Sequence, residues 1–176
     1  MGALRMNRIG GLFRHGLLAA AIVALPLSGC SSAGMSAFGS NKLAVAEISN
    51  IETYTAEGAL AEARAHFRND NFGYSAAFYK RAVELAPNKA EGYVGLSASY
   101  DRLGRFDLSD RVYASLYQMT GGTAQYYNNV GYSYLLRGSL SEALKSFRKA
   151  QKLEPDNLVV ANNIQILERA AAEARA

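Results

Sequence analysis

The sequence predicts an all-α superhelix of three helical hairpins closed by a C-terminal capping helix, and three observations predict it. Shifting the chain by 34 residues aligns it with itself three times without an insertion. Apolar residues recur at helical spacing between breaks, and the breaks recur too: Asn69-Asp70-Asn71, Gly104 and Gly138 inside the repeats, Pro87, Gly121 and Pro155 at their ends. Small residues stand in register where two helices of a pair must touch, namely Ala63, Ser97 and Gly131, then Ser75, Ser109 and Ala143. A period of this length marks a solenoid, in which each unit buries its apolar face against its neighbours.

The chain ahead of the repeats reads as an address and an anchor. Arg5, Arg8 and Arg14 fall within the first 15 residues, where no acid occurs, and residues 16–27 (GLLAAAIVALPL) are apolar. That is the order of a secretory signal peptide, and the run is shorter than the roughly 20 residues a membrane-spanning helix needs. The sequence Leu27-Ser28-Gly29-Cys30 resembles the lipobox of bacterial lipoproteins, which implies a signal peptide over 1–29 and acylation of Cys30, the one cysteine of the chain. Each buried acyl methylene is worth about 0.8 kcal/mol, so a multiply acylated Cys30 would hold the chain at a membrane. Ser31 follows in place of the Asp that often signals inner-membrane retention, so the resemblance implies the bacterial cell envelope, on the periplasmic face of the outer membrane. Residues 30–55 begin rich in Ser, Gly and Ala and are expected to form a flexible tether with a reach of roughly 25 Å, shortened if a short helix forms within 43–51.

Repeats follow at 56–89, 90–123 and 124–157, with the capping helix at 158–176. The aligned aromatics His66, Tyr100 and Tyr134, and Tyr79, Tyr113 and Phe147, fill the space between helices. The third unit, YYNNVGYSYLLRGSLSEALKSFRKAQKLEPDN, matches the tetratricopeptide repeat, and the family's superhelix is what the resemblance implies. Departures carry their own expectations. Glu62 stands where the other units have Leu96 and Val130, so the opening helix should show one side to solvent. Leu116 replaces the alanines at 82 and 150, and Gly121-Gly122 replaces Pro and a polar residue, so the joint after the second unit should be looser or differently curved.

Composition narrows the function. In 176 residues the chain is 49% hydrophobic and 19% charged, enough for one ordinary domain. The net charge of +4 comes from the N-terminus: from residue 16 onward sixteen basic side chains face fifteen acidic ones, which removes the basic footprint of a nucleic-acid binder. With His15 and His66 the only histidines, a zinc site would need carboxylates almost alone. His66 aligns with two tyrosines and reads as a packing residue; Arg148, Lys149 and Lys152 read as a solvated face. There is no phosphate loop and no catalytic constellation, so the expectation is a chain that is not an enzyme and uses no cofactor, metal or small-molecule substrate.

In this family the first helices line the concave wall, where extended segments of partner proteins lie. By that placement the groove residues are Arg64 and Arg68, then Glu91, Ala98, Asp101 and Arg102, then Gln125, Asn128, Asn129 and Tyr132, with Asn162 and Asn163 falling 34 residues after the Asn128-Asn129 pair. Repeated carboxamides can pair with a partner's main chain whatever its side chains, or they can bridge helices. Leu60 and Ala61 stand where a clamp for a terminal carboxylate would want polar groups, which argues against that clamp. The lipobox, the three repeats and the stretches NNVGYSYLLRG and VANNIQILER together resemble the TadD family, tetratricopeptide-repeat lipoproteins of the Flp (tight adherence) pilus assembly system. That resemblance implies an adaptor that binds an envelope protein, a pilus secretin or another assembly component. The alternative is a scaffold of the kind that docks cell-wall hydrolases.

Overall fold

A computed structural model describes residues 44–174. The signal peptide, Cys30, the tether before residue 44 and the last two residues of the chain lie outside the described residues. Within them the chain forms seven α-helices and one short 3-10 turn, with no strand: the turn Ile51–Thr53, α1 Ala56–Arg68, α2 Phe72–Leu85, α3 Ala90–Arg102, α4 Phe106–Thr120, α5 Ala124–Leu136, α6 Leu140–Leu153 and α7 Leu158–Glu173. The first helices of successive units start at residues 56, 90, 124 and 158, one period apart.

Each hairpin reverses by the same local device. Asp70, Gly104 and Gly138 take positive φ of 56°, 69° and 74°. Behind them the amides of Asn71, Arg105 and Ser139 donate back to the carbonyls of His66, Tyr100 and Tyr134, each at 2.9 Å. This closes the helix end with its last carbonyls satisfied, the left-handed residue being Gly twice and Asp once. Three of the four first helices are capped at their starts by a side chain. Thr55 and Thr123 each accept from the amide three residues on, at 3.1 Å, and Asn157 accepts from Val159 and Val160 at 3.0 and 3.2 Å. Lys89, at the matching position before α3, makes no such bond.

Small residues let the helices of a pair approach. A Cβ on Gly131 would lie 2.6 Å from the Phe147 ring, which is fully buried. Ser75 is fully buried, donates to the Ala63 carbonyl at 3.0 Å and shares a 2.9 Å hydroxyl contact with Ser99, tying α2 to both α1 and α3. His66 stacks between Tyr74 and Phe78, at centroid distances of 5.1 and 5.5 Å, which is a packing role. One core joins the first two hairpins around Phe78, Tyr79, Leu96 and Tyr100, and a second forms around Ala143, Phe147 and Leu167. Between them α4 meets α5 far more sparingly than α2 meets α3. The joint at Leu116 and Gly121-Gly122 is therefore the loose one, as the departures there predict.

Residues 44–55, assigned from sequence to the tether, are folded against α2. The Ala46 amide donates to the Gly73 carbonyl at 3.1 Å, Arg81 donates to the Glu52 carbonyl at 2.8 Å, and the Tyr54 ring meets Phe78 edge-on at 5.0 Å. Val45, Ile48 and Ile51 pack onto the first core. Four apolar side chains at this spacing are too few for a sustained helical stripe, which is why the segment reads as linker; α2 supplies the surface that orders it. Glu62 is half-exposed, and the strap covers part of the first hairpin that would otherwise face solvent.

Candidate functional site

The first helices α1, α3, α5 and α7 lie side by side along one wall, each touching the next. A cavity of about 260 Å³ opens in this wall. Among the residues expected in the groove it is lined by Ala98, Asp101, Arg102, Asn128, Asn129, Tyr132 and Asn163. The remaining ones stand apart. Arg64 and Glu91 form an ion pair with one another across α1 and α3, both about half-exposed, while Arg68, Gln125 and Asn162 are exposed and do not line the cavity.

Two lining residues escaped the sequence reading. Phe67 is one period ahead of Asp101, so the register itself points to it. Tyr113 comes from α4, a second helix; its hydroxyl reaches to 3.2 Å from the Asn129 carbonyl in the wall, and nothing in its aromatic spacing marks it out.

The two buried carboxamides do not form rungs in the way the recurrence suggests. Asn163 Nδ2 donates to Asn128 Oδ1 at 2.9 Å, and the two residues are 8% and 9% exposed, so the pair bridges α5 and α7. Asn128 Nδ2 and Asn163 Oδ1 remain without a hydrogen bond to another described residue, as does the Asn129 side chain. The cavity thus presents both amide donors and carbonyl acceptors, the complement of a peptide group or a carboxamide.

Asp101 is 4% exposed. Ser133 donates to its Oδ1 at 2.6 Å and Tyr113 to its Oδ2 at 2.8 Å. Burial pushes this carboxyl above its ordinary range, and the hydroxyls of Ser109, Ser133 and Tyr113, with Arg137 beyond them, work against that push. Burial and the neighbouring Asp101 drive the Tyr113 hydroxyl far above the usual phenol range, so it stays a donor. Behind Ser133 stands Arg137, which donates to the Ser133 hydroxyl at 2.8 Å and to Asp110 Oδ2 at 2.9 Å. The guanidinium also lies 4.7 Å from the centre of the Phe106 ring, so packing and Asp110 together fix it. Among the described residues no group of three or more His, Cys, Asp or Glu side chains is placed to hold a metal ion, and no helix is long and apolar enough to cross a membrane.

The tetratricopeptide repeat family matches residues 124–157, the third unit. A curated relative, small glutamine-rich tetratricopeptide repeat-containing protein 2 of Mycosarcoma maydis, is 26% identical over 107 residues, which is 60% of this chain but only 30% of that protein's length. Among solved structures, the first repeat domain of human RPAP3 superposes with a TM-score of 0.59 at 18% identity, covering 68% of this chain and 94% of that one. The first repeat domain of Spaghetti (RPAP3), bound to the HSP90 peptide SRMEEVD, gives 0.57 at 18% identity, covering 67% and 94%. The repeat match over residues 124–157, the helix order and these superpositions show that the chain has the superhelical tetratricopeptide-repeat fold.

Proposed function

We propose that the chain is an adaptor, held to a membrane by lipid on Cys30, that binds an extended segment of another envelope protein along its concave wall. One observation carries the binding half: the cavity where α3, α5 and α7 meet is lined by Asn128, Asn129 and Asn163, whose amide groups keep donors and acceptors that no described residue uses and that a ligand can reach. The main chain of an extended segment laid in the groove would offer the matching carbonyls and amides. The Spaghetti domain, of similar fold, binds a peptide, which supports the same use of the fold here. The ligand chemistry differs, since Leu60 and Ala61 offer no polar clamp for a terminal carboxylate.

The anchoring half rests on sequence: basic residues, an apolar run and a lipobox ending at the one cysteine. Within this class, the resemblance of the third repeat and capping helix to the TadD family favours an outer-membrane lipoprotein of the Flp pilus system, with the secretin or an assembly component as partner. Two measurements test the reading. Cys30→Ala is expected to leave helix content unchanged and release the chain from the membrane fraction; continued sedimentation with membranes overturns the anchor. Copurification with the Flp secretin is expected to fall at least about tenfold when Asn129→Ala and Tyr132→Ala are combined, the usual result of losing two central contacts; unchanged recovery overturns the groove.

A further inference from the structure

We propose that the cavity in the concave wall takes a cationic side chain, lysine or arginine, from the bound segment, with Asp101 as its counter-charge. This rests on the groove reading above and adds the chemistry the groove selects. A carboxylate only 4% exposed lines the cavity, yet among the described residues no cation lies within ion-pair distance of it. Buried charges are ordinarily paired. Ser133 and Tyr113 donate to one oxygen each, and each carboxylate oxygen can accept more than one hydrogen bond, so Asp101 keeps acceptor capacity.

The cations nearby are held elsewhere. Arg137 reaches Asp101 only through the Ser133 hydroxyl and is clamped by Asp110. Arg102 also lines the cavity, but its guanidinium is engaged, 4.2 Å over the Phe72 ring and 3.5 Å from Asp70. The space in front of Asp101 is thus left for an outside cation. Its walls suit one: Phe67, Ala98 and Tyr132 give apolar and aromatic surface for an aliphatic stem, and the amide oxygens of Asn129 and Asn163 can take the hydrogens that Asp101 does not. An acidic side chain or a chain-terminal carboxylate placed here would face Asp101 and be rejected.

The test uses the full chain in detergent and a library of random, C-terminally amidated peptides. Recovered sequences are expected to share a lysine or arginine at one fixed position. Replacing that residue with glutamine should weaken binding, followed by fluorescence anisotropy, at least about tenfold, in line with close charge pairs at interfaces. Asp101→Asn should bind the two peptides alike. If that variant loses its helical signal, Asn129→Lys puts a cation of the chain's own beside the cavity while leaving the Ser133 and Tyr113 bonds intact, and the same loss of discrimination is expected. Peptides that bind and are lost with Tyr132→Ala but carry no fixed basic residue overturn the cation pocket and leave the groove standing. So does a glutamine penalty that is equal in the parent and in both variants. If no peptide is recovered, or if binding ignores Tyr132→Ala, the groove reading falls and the pocket falls with it.

Discussion

At Asp101 the pH dependence of folding carries a definite sign. Burial raises this carboxyl above its ordinary value of 3.8 in the folded chain. A group that holds its proton more tightly folded than unfolded contributes most to stability below the ordinary value, and that contribution is lost as pH rises through the raised one. Asp101→Asn has no such proton to lose. Thermal melts of parent and variant are expected to diverge across the window just above 3.8, the parent alone showing the downward component. Gly131 is a test of packing: a methyl there meets the Phe147 ring at 2.6 Å, and the ring is enclosed on all sides. Gly131→Ala should cost about 1–3 kcal/mol in denaturant unfolding, the usual range for overpacking. Lys89 is the opposite case, a cation at a helix start where the other units place Thr or Asn. Lys89→Asp is expected to raise unfolding free energy by about 1 kcal/mol through a new cap bond and a better match to the helix dipole.

Helix boundaries were legible because their causes are local. A left-handed residue and its two return bonds end each first helix, and a Pro or Gly ends each second, so the signal lies within a few residues of the event. The groove was half legible for the same reason. Periodicity names the helix face, and six of its polar residues do meet at one cavity. What periodicity cannot name is a bond between units. The recurrence places Asn128 opposite Asn162, yet Asn128 bonds Asn163, one residue off the period, because successive first helices are rotated as they stack. The strap was hidden likewise, since residues 44–54 take their order from α2 rather than from a pattern of their own. At the α4–α5 joint, sparse contact predicts weak coupling between units. Hydrogen exchange should show amides around residues 120–124 opening several-fold faster than those around 86–90, with a stability gap of about 1 kcal/mol or more.

Across the described residues as a whole, two cores divided at that joint make a short array whose ends matter as much as its middle. α7 closes one end through Val160 and Leu167, and the strap covers α2 at the other. Combining Ile48→Ser with Ile51→Ser should lower unfolding free energy by about 2–3 kcal/mol, an amount set by the apolar area released. The strap also decides how force enters the protein. The chain joins the folded body alongside Gly73, at the head of the second helix, and reaches α1 only after running along it. A pull from the N-terminal side therefore enters the folded body at α2, through the Ala46 amide bond and the Tyr54 edge contact, before it can reach α1 along the chain.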